Sequence, residues 1–147
     1  MASIFDVAKY ILKTCGTMTT MKLQKLCYYC QAWSLAWDDE PLFEEDFQAW
    51  ANGPVCPSLF RAHHGAFVVS ESWTSLPARD FPFTPSQTET MDIVLKDYGN
   101  KSPHWLSELT HQEGPWREAR TGVPDGAPSN NIISKESMLM YYGGLLG

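Results

Sequence analysis

Three groupings of side chains in this chain have types and spacings that chemistry could use. The run from Leu106 to Arg120 sets His111, Glu113, Trp116, Arg117 and Arg120 around a Gly114-Pro115 break. A histidine there could act as a base, as a helix-end donor or as a polar contact. Cys27-Tyr-Tyr-Cys30 has the spacing of a redox pair. Cys27, Cys30 and Cys56 with His63-His64 could supply zinc ligands. Each grouping has a counter-reading. A redox pair belongs at a helix N-terminus, where the dipole lowers a thiol pKa, and this pair lies mid-helix among aromatics. Small buried hydrophobes describe Cys27 and Cys30 better. Structural zinc sites are built from two close ligand pairs, and the second pair is missing. No G-x-S-x-G elbow, catalytic-cysteine signature, phosphate loop or HExxH accompanies His111. No enzyme activity, metal or cofactor is therefore expected. Two roles stay open for His111: bonding the last carbonyls of its helix, or making an exposed contact beside Trp116 in a binding patch. Trp50, next to the Asn52-Gly53-Pro54 turn, carries the same ambiguity. Arg117 and Arg120 could simply balance Glu113 and Glu118.

These residues need elements to hold them. Ser3 with Asp6 reads as a capping box, and Gly16 ends the helix that follows. Thr19 or Thr20 caps the next helix, where Leu23, Leu26, Cys27, Cys30, Trp33 and Trp37 recur at helical spacing. No charge occurs from Leu26 to Trp37, and a helix apolar nearly all round is buried all round. Residues 20–37 are therefore expected to be the central helix. Phe47, Ala49 and Ala51 alternate with Gln48, Trp50 and Asn52, a short-strand pattern ended by Gly53-Pro54. A short helix at 57–64, a second strand at Phe67-Val-Val and an irregular crossing at 74–86 follow. Ser86 opens a helix with Met91, Val94, Leu95 and Tyr98 on one face. Ser102-Pro103 opens another, with Trp105, Leu106 and Leu109 facing inward. After a second loop, Thr121 to Asn131, Ser134 caps a last helix, with Ile133 stapled on Met138. The fold class expected is mainly α: one compact helical domain over 1–147 around the 20–37 helix, with a small β element.

Composition narrows the function. With 11 Lys and Arg against 17 Asp and Glu the net charge is −6, so no nucleic-acid partner is expected. Six acids fall between Asp38 and Asp46, read either as a solvated loop or as a patch that steers a basic partner. No stretch reaches the ~20 apolar residues of a membrane span, so no membrane is expected. The start lacks a signal-peptide pattern, which points to the cytoplasm and reduced thiols. The end, Leu145-Leu146-Gly147, hints at a flexible tail.

Three segments together resemble the Panacea-domain family of SocA-like and phage-associated antitoxins. They are Met21–Trp33, Pro41-Leu-Phe with Phe47–Val55, and Leu109–Ala119, in order and well spaced. The resemblance implies a largely helical antitoxin of a toxin–antitoxin pair, of the kind found in prophages and mobile elements. Its partner would be a cognate protein toxin, neutralised by direct binding. Some members instead deliver a toxin to an ATP-dependent protease. The chain is almost all domain, so operator binding by an extra arm is not expected. Carried onto this sequence, the shared motifs mark Trp50, Asn52, Gly53, Pro54, His111, Glu113 and Trp116 as a partner-binding patch. An enzyme using the His111 region is the alternative of a different class.

Overall fold

A computed structural model describes residues 1–145; Leu146 and Gly147, and with them most of the tail read from the sequence, lie outside the described residues. Helices dominate, as expected, and a small β element accompanies them. The centre is α2 (Thr20–Asp38), whose Leu23, Leu26, Cys27, Cys30 and Ala32 are buried. Around it pack α1 (Ile4–Cys15), α4 (Pro85–Tyr98), α5 (Pro103–Gln112) and α7 (Lys135–Gly144). Burying apolar side chains on every side of one helix is what its uninterrupted apolar run requires. The ends match the capping logic. Ser3 and Asp6 form the box of α1, Thr19 accepts from Lys22 N–H at α2, and Ser134 accepts from Ser137 N–H at α7. Ile133 and Met138 are both buried across that last cap.

Beside the helices lies a three-stranded antiparallel sheet in the order β3 (Gly53–Val55), β2 (Phe47–Trp50), β5 (Ile132–Ile133). Phe47 and Ala49 turn inward while Gln48 and Trp50 are half-buried, the alternation the sequence shows. The register Ala49↔Pro54 and Trp50↔Gly53 makes β2 and β3 a tight hairpin around Ala51-Asn52.

Polar side chains on α2 fasten this hairpin and its flanks. Gln24 Oε1 accepts from Cys56 N–H at 2.9 Å. Gln31 Oε1 accepts from Leu42 N–H at 2.7 Å, and its amide donates to the Phe43 carbonyl at 2.8 Å. Each such bond nets only about 1 kcal/mol, but losing one strands a buried backbone group at a cost of about 1–3 kcal/mol.

Six local expectations are revised. The strand expected through Asn52 stops at Trp50, and Gly53-Pro54 does not end it but opens β3, because the chain turns back at Ala51-Asn52. Trp37, in the last turn of α2, is exposed and not buried. The strand at Phe67-Val-Val is β4 (Val68–Val69), and its partner is β1 (Met18–Thr19), which the sequence reading took only as a cap region. The helix expected from Ser86 begins at Pro85, because Thr84 forms a capping box with Gln87. The helix expected to 64 is α3 (Pro57–His63). Trp105 does not face inward: it is 43% exposed, with the Lys101 ammonium 4.9 Å above its ring. Leu106 and Thr110, four apart, form the buried line of α5, and position 105 is rotated off it. Three of the six acids at 38–46 serve the fold through their side chains. Asp38 accepts from Ser86 and Thr90, Glu45 from Ile4 N–H, and Asp46 pairs with Lys135 at 2.8 Å.

Candidate functional site

The seven residues marked by the motifs come together where the β2–β3 hairpin meets α5 and α6 (Gly114–Ala119). They divide into two sets. Trp50, Asn52, His111 and Trp116 reach the surface, whereas Gly53, Pro54 and Glu113 are buried.

The surface set is locked to the hairpin. Trp116 Nε1–H donates to the Trp50 carbonyl at 2.8 Å, and Ser107 Oγ–H donates to the Asn52 carbonyl at 2.5 Å. His111 lies flat on Trp116, ring centroids 4.0 Å apart and planes 16° apart. Among the described residues His111 Nε2 is buried without a hydrogen-bond partner and no helix-end carbonyl bonds the ring, so stacking holds the imidazole. Burial, outweighing the nearby Glu108 carboxylate, holds its pKa below the usual histidine value. Trp50 packs edge-on against Phe60, its indole N–H donating to Gln48 Oε1 at 2.9 Å.

The buried set forms the frame. Glu113, only 7% exposed, accepts from Tyr29 O–H at 2.6 Å and from Tyr142 O–H at 2.9 Å, tying α5 to α2 and α7. The Tyr28 and Tyr142 hydroxyls are 3.1 Å apart, which extends the network. Burial raises the Glu113 pKa, and the two tyrosine hydrogen bonds oppose that rise. Gly53 has φ +122°, and a Cβ there would lie 2.6 Å from Lys25 Cε. Pro54 offers its carbonyl to Lys25 Nζ at 3.3 Å.

Lys25 and Arg120 are the residues sequence reasoning missed. Lys25 is 1% exposed, has no carboxylate partner among the described residues, and burial lowers its pKa to about 7. The signal was partial: Lys25 stands between Leu23 and Leu26 on the central helix, just before its uncharged run, whereas Lys22 on the same turn keeps some solvent access. Arg120 does not balance an acid. Its guanidinium, buried and 5.0 Å from the Trp116 ring centroid, donates to the carbonyls of Ala49 (2.8 Å), Pro124 (3.2 Å) and Ala127 (2.7 Å). Five fixed donors suit an arginine to several carbonyls at once.

Two cavities open along this frame. One of about 530 Å³ is walled by His111, Trp116, Arg117 and Arg120, with Asp125 on its lining. The other, about 360 Å³, lies between Trp50, Met21 and Pro128. Ala51 and Gly126 line both, so the hairpin turn and the 121–131 loop border a groove made of two adjacent chambers. Elsewhere, Cys27, Cys30 and Cys56 are buried and free, and burial pushes all three thiols up, away from the thiolate a redox pair needs. Among the described residues, no three His, Cys, Asp or Glu side chains gather as metal ligands, and no helix is long and apolar enough to cross a membrane.

Fold and site define a helix-centred domain whose buried polar groups hold a hairpin and a loop against one central helix. The family "Antitoxin SocA-like, Panacea domain" matches residues 23–117, from the first turn of α2 into α6, and the chain belongs to that family. No curated protein and no solved structure matches the chain.

Proposed function

We propose that this protein is an antitoxin that neutralises a cognate protein toxin by direct binding, acting in the cytoplasm as one domain over residues 1–147 and without a cofactor. The observation that carries this reading is the antitoxin-like family match over residues 23–117. The geometry supports it. Trp50, Asn52, His111 and Trp116 present aromatic and polar surface along a groove, and Gly53, Pro54 and Glu113 keep that surface rigid. Preorganised aromatic anchors beside polar backbone are what a binding hot spot needs. A stable complex would bury about 1,200–2,000 Å² in total.

Expression of the adjacent reading frame, alone and together with this protein, tests the reading. The expected outcome is growth arrest by the neighbour alone, growth restored by co-expression, and recovery of the two proteins as a complex. No toxic neighbour and no co-purifying partner would overturn it. Following the toxin's level separates the mechanisms. A constant level means inhibition by occlusion, and faster disappearance means delivery to an ATP-dependent protease. Substituting His111→Ala removes the enzymatic alternative if the fold and neutralisation both survive.

A further inference from the structure

We propose that the groove between the hairpin turn and the 121–131 loop takes an acidic side chain of the protein partner, with a neighbouring apolar side chain seated against Trp50. The inference deepens the antitoxin reading and rests on it.

Charge and shape carry it. The larger chamber is bordered by two arginines with no carboxylate partner among the described residues. Arg117 is exposed on α6, and no protein group bonds its side chain among the described residues. Arg120 is buried and bonded to backbone carbonyls alone. Opposing the arginines are Asp125 on the lining and Glu108, whose field reaches His111. His111 Nε2 adds a buried polar atom that no group among the described residues satisfies. The chamber lining sets two arginines against one aspartate, a local net positive charge in a chain of net charge −6. A buried cation such as Arg120 without a counter-ion is unfavourable, and a carboxylate arriving beside it relieves that cost. The second chamber, with Trp50, Met21 and Pro128 in its wall and Asn52, Ser129 and Asn130 beside them, is mostly apolar and shares Ala51 and Gly126 with the first. An extended segment passing over those two residues would place successive side chains in chambers of opposite character. Nucleic acid fits less well, because its continuous charge meets the net negative field of the whole protein.

Selection of a displayed random-peptide library on the immobilised full chain, at about physiological ionic strength, tests the proposal. The expected peptides carry Asp or Glu next to a large apolar residue. Their affinity should fall about tenfold in Arg117→Glu, as loss of a charge-assisted contact predicts, and rise in Asp125→Asn. Both positions are exposed, and matching thermal unfolding curves would verify the fold. Enrichment without acidic residues, no enrichment, or an affinity unmoved by Arg117→Glu would overturn the inference. So would ready displacement of the peptides by a single-stranded oligonucleotide, which would mark a polyanion site. No toxin enters this measurement. Acid-selective peptides alongside a failed toxicity test would therefore fell the antitoxin reading alone, and the converse would fell only the groove.

Discussion

Glu113 shows how a motif residue can hold a site from within the protein. Its carboxylate accepts two tyrosine hydroxyls inside the protein and joins three helices. Replacing it with Ala would leave Tyr29 and Tyr142 without their shared acceptor. We expect Glu113→Ala to lose about 1–3 kcal/mol in chemical denaturation, the cost of one stranded buried donor, because Tyr29 loses its acceptor while Tyr142 keeps the Tyr28 hydroxyl. Glu113→Gln keeps an amide oxygen that can accept both hydroxyls, so its loss should be the smaller of the two. Equal losses, or none, would contradict the network. The sequence marks Glu113 through its motif, but the tyrosines it meets lie 84 and 29 positions away. Helical spacing alone cannot reveal such a partnership. Arg120 was hidden for another reason. Its ligands are backbone carbonyls, which every residue type offers equally, so no pattern of side chains announces them.

At the scale of elements, local rules worked wherever a helix states its own ends. The caps at Ser3, Ser102 and Ser134 and the alternation of β2 were legible because each depends on neighbours within a few positions. The β1–β4 pair was not fully legible, since two residues offer too short a pattern and the pairing spans Met18 to Val69. The groove was legible only as a list of motif residues. Its shape arises where the 121–131 loop crosses the hairpin, and no local rule brings those segments together. The hairpin also contains the strictest backbone requirement of the site. Gly53 combines φ +122° with a Lys25 carbon where a Cβ would stand. Gly53→Ala should cost about 1–3 kcal/mol, the range for a strained non-glycine residue. The loss should appear as a lowered midpoint in denaturant with an unchanged slope. An alanine variant as stable as the parent would refute the close approach of turn and lysine.

For the whole molecule, the buried ionisable groups predict a dependence of stability on pH. The folded pKa of Lys25 is about 7 against an ordinary 10.5. Between those values the unfolded chain binds a proton that the native protein lacks, so stability rises with pH through that window. His63 and His111, also lowered by burial, act in the same sense below the ordinary histidine value of 6.5. Glu113 acts oppositely: its pKa is raised, so stability falls as pH climbs from 4.5 through its folded value. Lys25→Met isolates one contribution. Relative to the parent, the variant should gain most at pH 7 and below, and the gain should shrink toward pH 10.5. Urea denaturation across that range reads the slope, which a constant packing difference does not alter. A pH-independent difference would show that burial does not lower the Lys25 pKa.

The three carbonyls gathered by Arg120 bear on how the protein could diversify. The arginine grips the 121–131 loop at Pro124 and Ala127, and Asn131 ties its far end to the Ala119 carbonyl at 2.9 Å. Because the loop's own main-chain carbonyls are the anchors at Pro124 and Ala127, these two ties do not depend on the side chains displayed between them and Asn131. The rim of the groove can therefore be rewritten, one residue at a time, while the scaffold beneath it stays the same. Grafting new side chains at Asp125, Pro128 and Asn130 is then a direct route to redirecting what this domain recognises.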